Sequence, residues 1–358
     1  MTKRSKSFYL ISSLKFLLLF LAGCSSSNDK GITSFVVPKE VNAEFQLSEI
    51  AKSVEYLSLE TSEASYLSLI QDVKSFKDRI YVVDFPGRIL VFDKAGKFIQ
   101  QIGTEGEGPG EFYNLSSFTI DEDSEILYVA TGRRLISYTL NNEYLAEKKF
   151  PFIIDYIEII DKKLNLVAGE DGVKSGNKFV NLRSLFKVDS GLDIVDSIPL
   201  IYREMDEQTG ANYPYKNFIS TIEDENFIYT PVLTDESIIR DTLFKIDDLA
   251  LKPSIKLDFA PPLFNEDGNK LILIKNVILS KNFLICEYNR EGSSALYIGA
   301  RNTDFSINLK EGLLIEDEES VMLRPFDLSS DQFYFVKTYN FTDASEEELN
   351  PMIGIVTL

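Results

Sequence analysis

The run from residue 79 to residue 112, RIYVVDFPGRILVFDKAGKFIQQIGTEGEGPGEF, constrains the fold more than any other part of the chain. Two apolar β-runs, 80–83 and 89–92, flank Asp84-Phe85-Pro86-Gly87, which has the chemistry of a turn. A third run, 97–102, follows Ala95-Gly96, and a tract of four glycines and one proline then ends regular structure. Three short antiparallel strands closed by a rigid exit form one sheet of a meander. Such a sheet cannot bury both of its faces alone, so it requires copies of itself.

The copies are present. Runs equivalent to 79–83 recur at 125–129, 163–167, 226–230, 282–286 and 332–336, each after a polar turn and each before a further β-run. With Tyr81, Tyr128, Leu166, Tyr229, Ile285 and Phe335 as markers, the steps are 47, 38, 63, 56 and 50 residues. Six instances at uneven spacing read as six sheets with variable loops. No long stretch beyond the N-terminal segment keeps a 3.6-residue period, which argues against a helical array. Earlier, 32–37 and 54–59 read as strands without neighbouring partners, and 46–53 as a helical turn or two capped by Ser48. The expected class is all-β, a six-bladed β-propeller whose early N-terminal strand closes the last blade.

The N-terminus specifies an address. Lys3, Arg4 and Lys6 precede an apolar stretch, 8–22, too short and serine-broken for a membrane span. It ends Leu21-Ala22-Gly23-Cys24, followed by a polar tether. These residues resemble the lipobox of bacterial lipoproteins, which implies cleavage before Cys24 and its lipidation. The expected division is a signal peptide at 1–23, a lipidated tether and leading strand at 24–43, and the propeller at 44–358. The implied location is the bacterial cell envelope, periplasmic or surface-exposed, with the membrane reached through the lipid anchor only.

Charge and composition exclude several functions. The net charge is −19, and residues 1–23 contribute only bases, so the mature surface would carry −23. That repels phosphate backbones and excludes nucleic acid as a partner. Histidine is absent, which removes His-based triads, His-ligated zinc and His-ligated haem. With Cys24 lipidated, Cys286 stands alone in the apolar run 282–288 and reads as a core residue.

At Ile80, Asp84, Arg88, Asp93 and Gly96, and above all in the exit Gly106-Glu107-Gly108-Pro109-Gly110-Glu111-Phe112, the chain resembles an NHL-type repeat. It is similar to bacterial six-bladed β-propeller lipoproteins in which GxGPGEF joins the first blades. The resemblance implies a fold far more than a task. The glycine tract itself lacks a Gly-Lys-Ser/Thr ending and carries Glu105, Glu107 and Glu111, so it reads as an inter-blade crossover, not a phosphate loop.

In a propeller the loops after the marker strands share one face. They place Asp84, Arg88, Arg133, Arg134, Glu170, Arg240, Asp241, Tyr288 and Arg290 as candidate ligand contacts, and Arg203 joins them from the long segment 201–217. Arginine suits carboxylates and sugar hydroxyls, and tyrosine stacks on sugar faces. The bland alternative is that each arginine pairs with a local carboxylate. The expectation is a monomeric binding module for a glycan, peptide or envelope protein, with no cofactor and no catalytic residue. The alternative is a lactonase-like hydrolase dependent on a divalent metal, calcium being the ion that Asp84, Glu170 and Asp241 would suit. Acidic runs at 121–123, 223–225, 247–248, 316–319 and 346–348 read as solvated loops, with 316–319 the best placed to differ.

Overall fold

The structure, a computed structural model, describes residues 31–42, 44–85, 87–209, 218–231, 238–248, 250–316, 319–338 and 349–358. The expected lipidation site Cys24, the segment 210–217 and the run 346–348 lie outside the described residues.

Two strands, β1 (Thr33–Val37) and β2 (Ser53–Leu57), precede a succession of antiparallel meanders. The first sheet is β3 (Ile70–Phe76), β4 (Arg79–Asp84), β5 (Arg88–Asp93) and β6 (Phe98–Ile102). The second is β7 (Leu115–Asp121), β8 (Ile126–Thr131), β9 (Arg134–Thr139) and β10 (Tyr144–Lys149). The third is β11 (Ile153–Ile160), β12 (Lys163–Ser175), β13 (Lys178–Val188) and β14 (Ile194–Met205). The fourth is β15 (Ile219–Ile222), β16 (Glu225–Ile228), β17 (Thr242–Asp247) and β18 (Ala250–Phe259). The fifth is β19 (Ile272–Leu279), β20 (Phe283–Arg290), β21 (Ser293–Ala300) and β22 (Ser306–Leu309). A short pair, β23 (Leu313–Leu314) and β24 (Ser320–Val321), leads to the sixth sheet, β25 (Arg324–Asp327), β26 (Gln332–Lys337) and β27 (Met352–Thr357).

The early strands go to different sheets. β2 adds antiparallel to β27, Tyr56 opposite Gly354, and makes the sixth sheet four-stranded. β1 instead lies parallel to β18, Phe35 opposite Leu257, as a fifth strand of the fourth sheet. Between them the helical turn is a 3₁₀ turn, Leu47–Glu49, capped at Gln46 and not at Ser48. Glu49 accepts the Gln46 backbone N–H at 3.0 Å, so the box is set two residues earlier than the serine suggested.

Sheets stack face to face because their central strands are apolar on both sides. In β4, Ile80 and Val82 pack with Tyr334 and Ile353 of the sixth sheet, whereas Tyr81 and Val83 pack with Phe118 and Val129 of the second. The two-residue period of a strand makes that division. Apolar clusters then join the second sheet to the third, the third to the fourth, and the fourth, fifth and sixth together. Each large side chain so buried contributes roughly 1.5–3 kcal/mol.

Gly354 shows how close the packing is within the sixth sheet, where it stands opposite Phe335 across β26 and β27. A Cβ there would stand 2.2 Å from Phe335 Cζ, so the ring of Phe335 fills the space the glycine leaves open. The glycine tract 103–110 does connect the first two sheets, β6 to β7. Arg134 holds it, donating to Glu111 O at 3.0 Å and Gly108 O at 3.1 Å, while Tyr138 OH donates to Gly110 O at 2.6 Å.

Candidate functional site

The first strand of four sheets carries a β-bulge at the same place. The register slips between Ile70 and Asp72, Leu115 and Ser117, Ile154 and Tyr156, and Ile274 and Asn276. A bulge re-aims the residues beyond it. Two residues after Asp72, Ser117 and Tyr156 come Lys74, Thr119 and Glu158, which are therefore equivalent positions on three successive sheets.

These residues meet. Lys74 Nζ lies 3.0 Å from Glu158 Oε2, Tyr156 OH donates to the same oxygen at 2.7 Å, and Thr119 Oγ1 donates to Glu158 Oε1 at 2.7 Å. The ammonium also stands 5.6 Å from the Phe118 ring centre and 6.0 Å from that of Tyr156. They line a cavity of about 630 Å³, walled by β3, β7, β11, β15 and β25. It extends to the β7–β8, β11–β12 and β25–β26 turns through Asp121, Glu122, Asp123, Lys162 and Ser329. Six carboxylates (Asp72, Asp121, Glu122, Asp123, Glu158 and Asp327) face two lysines in its lining.

The electrostatics follow from that crowding. Burial raises the Asp72 carboxyl above its ordinary value of 3.8, with Glu158 adding to the effect and Lys74 opposing it. For Glu158, burial also pushes upward, but Lys74 and the hydrogen bonds from Thr119 and Tyr156 outweigh it and hold the carboxyl low. Lys74 is likewise penalised by burial, yet Glu158 and Asp72 lift it above 10.5. Burial, then Glu158, pushes the Tyr156 phenol well above 10. At neutral pH the centre is an ion pair braced by two hydroxyls, beside a carboxylate poorly solvated in its charged form.

This cluster sits at the other end of the strands from the residues singled out in the sequence. Asp84 is fully buried; it accepts from Ser68 N at 2.8 Å and Leu69 N at 2.9 Å and pairs with Arg88, which also donates to Tyr66 O at 2.7 Å. Arg133 pairs with Glu170 across the second and third sheets, and Arg134 with Glu147. Arg240 donates to Leu200 O at 3.3 Å, and Asp241 accepts from Thr242 Oγ1 at 3.0 Å with Lys256 3.9 Å away. These residues are not brought together into one constellation.

Several expected loop residues are strand residues. Tyr288 and Arg290 end β20, which runs to a tight turn at Glu291 (φ 52°) and Gly292 (φ 83°), a Glu-Gly hairpin turn that the polar Tyr-Asn-Arg run concealed. Glu170 lies in β12 just before a bulge, because the inserted length between 167 and 184 forms a long hairpin and not a loop. Arg203 lies in β14, opposite Asn181.

Asp84, Glu170 and Asp241 do not fit the calcium reading, each being committed to a different local contact. No group of three or more His, Cys, Asp or Glu side chains is placed to hold a metal ion among the described residues. Sequence reasoning missed Asp72, Lys74, Thr119, Tyr156 and Glu158. Charges set among apolar strand residues, Asp72 and Lys74 in IQDVKSF and Asp155 and Glu158 in IIDYIEII, were the available signal.

No helix of the described residues is long and apolar enough to cross a membrane. A crystal structure of a candidate exported protein from Bacteroides fragilis is similar, with TM-score 0.65, 20% identity, and coverage of 91% of this chain and 99% of that one. The WD40 domain of Neurospora crassa Pan2 has TM-score 0.45 at 10% identity over 80% of this chain and 75% of its own. The Cps50 (Swd1) β-propeller domain of Myceliophteria thermophila has TM-score 0.42 at 12% identity over 84% and 99%. None of the curated proteins matches the sequence. Residues 33–354 match a family model over most of the chain, and the protein belongs to that family, the domain of unknown function DUF4934.

Proposed function

We propose that the chain is a lipid-anchored, exported six-bladed propeller that binds a saccharide in its central cavity. The pairing of β2 with β27 and the contact of the sixth sheet with the first support a closed ring of six blades. The lipobox-like Cys24 supports the anchor, and the NHL-like exit to Phe112 fits the same class.

The observation that carries the reading is the cavity with Lys74, Glu158, Tyr156, Thr119 and Asp72 on its wall. A saccharide presents hydroxyls that both donate and accept. Asp72 accepts, Lys74 donates, and Thr221, whose hydroxyl proton goes to Asn226 Oδ1, can accept. The half-buried ring of Phe326 offers apolar surface for sugar C–H groups. Binding is by contacts placed on strands, without covalent chemistry. A monomer suffices, since one chain contains the whole cavity.

The test is a glycan array probed with the purified protein and with Asp72→Asn and Lys74→Met. Capture of one saccharide class, weakened by about tenfold or more in both variants, supports the reading. No glycan captured, or capture indifferent to both substitutions, overturns it. Selective capture of peptides would move the assignment to a peptide-binding module.

A further inference from the structure

Asp72 differs from the other charged groups in the wall of the central cavity. Lys74 is spent on Glu158, and Lys162, on the exposed β11–β12 turn, on Asp123 at 2.8 Å. Asp121 caps its own turn, accepting from Asp123 N, Ser124 N and Ser124 Oγ. Asp327 does the same for Ser329 N, Ser330 N and Ser330 Oγ. Glu122 is exposed on the β7–β8 turn. Asp72 is half-buried in β3, and its Oδ1 accepts the backbone N–H of the next residue, Val73, at 2.9 Å. Among the described residues no cation lies within ion-pair distance of Asp72, and nothing donates to its Oδ2.

That oxygen is not sealed. Among the described residues, the buried side-chain atoms left without a partner belong to Tyr81 and Arg290, so Asp72 Oδ2 keeps access to the cavity of about 630 Å³ that the residue lines. Phe326 lines the same space from β25, which packs against β3. The charge of the wall points to a cation, because six carboxylates against two ammonium groups leave four negative charges in excess, and both lysines are already matched. Burial raises the Asp72 carboxyl, so the chain keeps a carboxylate where a neutral side chain would be more stable. Stability is given up in this way where a side chain serves a ligand. A sugar hydroxyl would hydrogen-bond to Asp72 and leave its charge unmatched, whereas an ammonium supplies both the proton and the charge.

We infer that the cavity selects a saccharide with a free, protonated amine, an unacetylated hexosamine, whose ammonium is received by Asp72 while a C–H face of the ring lies on Phe326. The inference rests on the saccharide reading of the cavity and adds the charge class of the ligand and the residue that sets it. Lys74, balanced by Glu158, leaves Asp72 free for a second cation. Acetylation of the amine removes the charge and adds bulk at Asp72, so the site discriminates against the N-acetyl sugar as well as the neutral one. A divalent metal is a poorer occupant, since no group of three or more His, Cys, Asp or Glu side chains is placed to hold one among the described residues.

The experiment is calorimetric titration of the purified full chain, at neutral pH and constant ionic strength, with three disaccharides of one glucose-type backbone. They differ only at the second carbon, which carries an amine, an acetamide or a hydroxyl; ethanolammonium chloride serves as an amine without a sugar. The amine form should bind about tenfold or more tightly than the other two. Asp72→Asn should remove that preference and leave the three sugars bound alike, whereas Glu122→Gln, a change of the same charge at the exposed turn, should keep it. Equal binding of the three sugars by the wild-type chain overturns the inference and leaves the saccharide reading standing. A preference that survives Asp72→Asn, or that Glu122→Gln removes equally, overturns the role of Asp72. Binding of ethanolammonium as tight as that of the amine disaccharide overturns the selection of a sugar. No response to any disaccharide overturns this inference together with the saccharide reading.

Discussion

Lys74 Nζ and Glu158 Oε2 stand 3.0 Å apart, although 84 residues and the whole second sheet separate them in the chain. The contact spans the first and third sheets, so it reports the packing of sheets about the cavity and not the stability of any one meander. The two side chains keep 23% and 20% exposure, so the pair is only partly withdrawn from water. Lys74→Met should leave Glu158 with its hydroxyl donors but no cation and cost about 1–3 kcal/mol in denaturant unfolding. Glu158→Gln should cost a similar amount, and the double variant less than the sum of the two. Additive losses would show that the pair is not coupled.

The same cluster sets opposite pH dependences. The Glu158 carboxyl is held below its ordinary 4.5, so its contribution is present above that value and is lost as pH falls through the lower folded value. Asp72 is raised above 3.8, so its ionised form weighs against the fold at neutral pH and that cost is relieved on acidification. Asp72→Asn should therefore be more stable than wild type at pH 7, and the difference should vanish below pH 3.8. Thermal unfolding between pH 3 and pH 7 measures it. A variant less stable at pH 7 contradicts the assignment.

How much of this was legible can be traced residue by residue. Ile80, Val82, Tyr81 and Val83 lie in an unbroken apolar run with a polar turn on each side, and such a run identifies a central strand buried on both faces. The early strand 54–59 had no local partner, which pointed to a remote edge, and β27 is that edge. The parallel addition of β1 to β18 was not legible, because nothing local names a partner more than two hundred residues away. The site was missed for a geometric reason. Its residues come from first strands, re-aimed by bulges at 71, 116 and 155 that leave no mark in the sequence. Loop arginines drew notice instead, and the structure engages Arg88, Arg133 and Arg134 in ion pairs.

The fit of Gly354 under Phe335 predicts a shape-dependent pair of variants. Gly354→Ala places a methyl group against the ring and should cost about 1–3 kcal/mol. Phe335→Ala should cost about 3–5 kcal/mol through the cavity it leaves. Combining Gly354→Ala with Phe335→Leu should cost less than the two changes summed, by denaturant titration. Strict additivity would mean that the two positions do not touch.

Arg134 predicts a local effect. It holds Gly108 O and Glu111 O of the crossover and pairs with Glu147, so Arg134→Met releases two backbone carbonyls and a carboxylate at once. Stability should fall by about 2 kcal/mol, and limited proteolysis should cut between residues 103 and 112 before any other site. Cleavage there at the wild-type rate would show that Arg134 does not support the crossover.

The central claim is that the ligand occupies the cavity at the inner strands. It is tested most directly by a crystal structure of the protein with the saccharide captured on the array. The account predicts sugar density in the cavity against Asp72, Lys74 and Phe326, beside the intact Lys74–Glu158 pair. Density instead at the loops of Asp84, Arg133 and Arg240, with the cavity holding solvent alone, would contradict it.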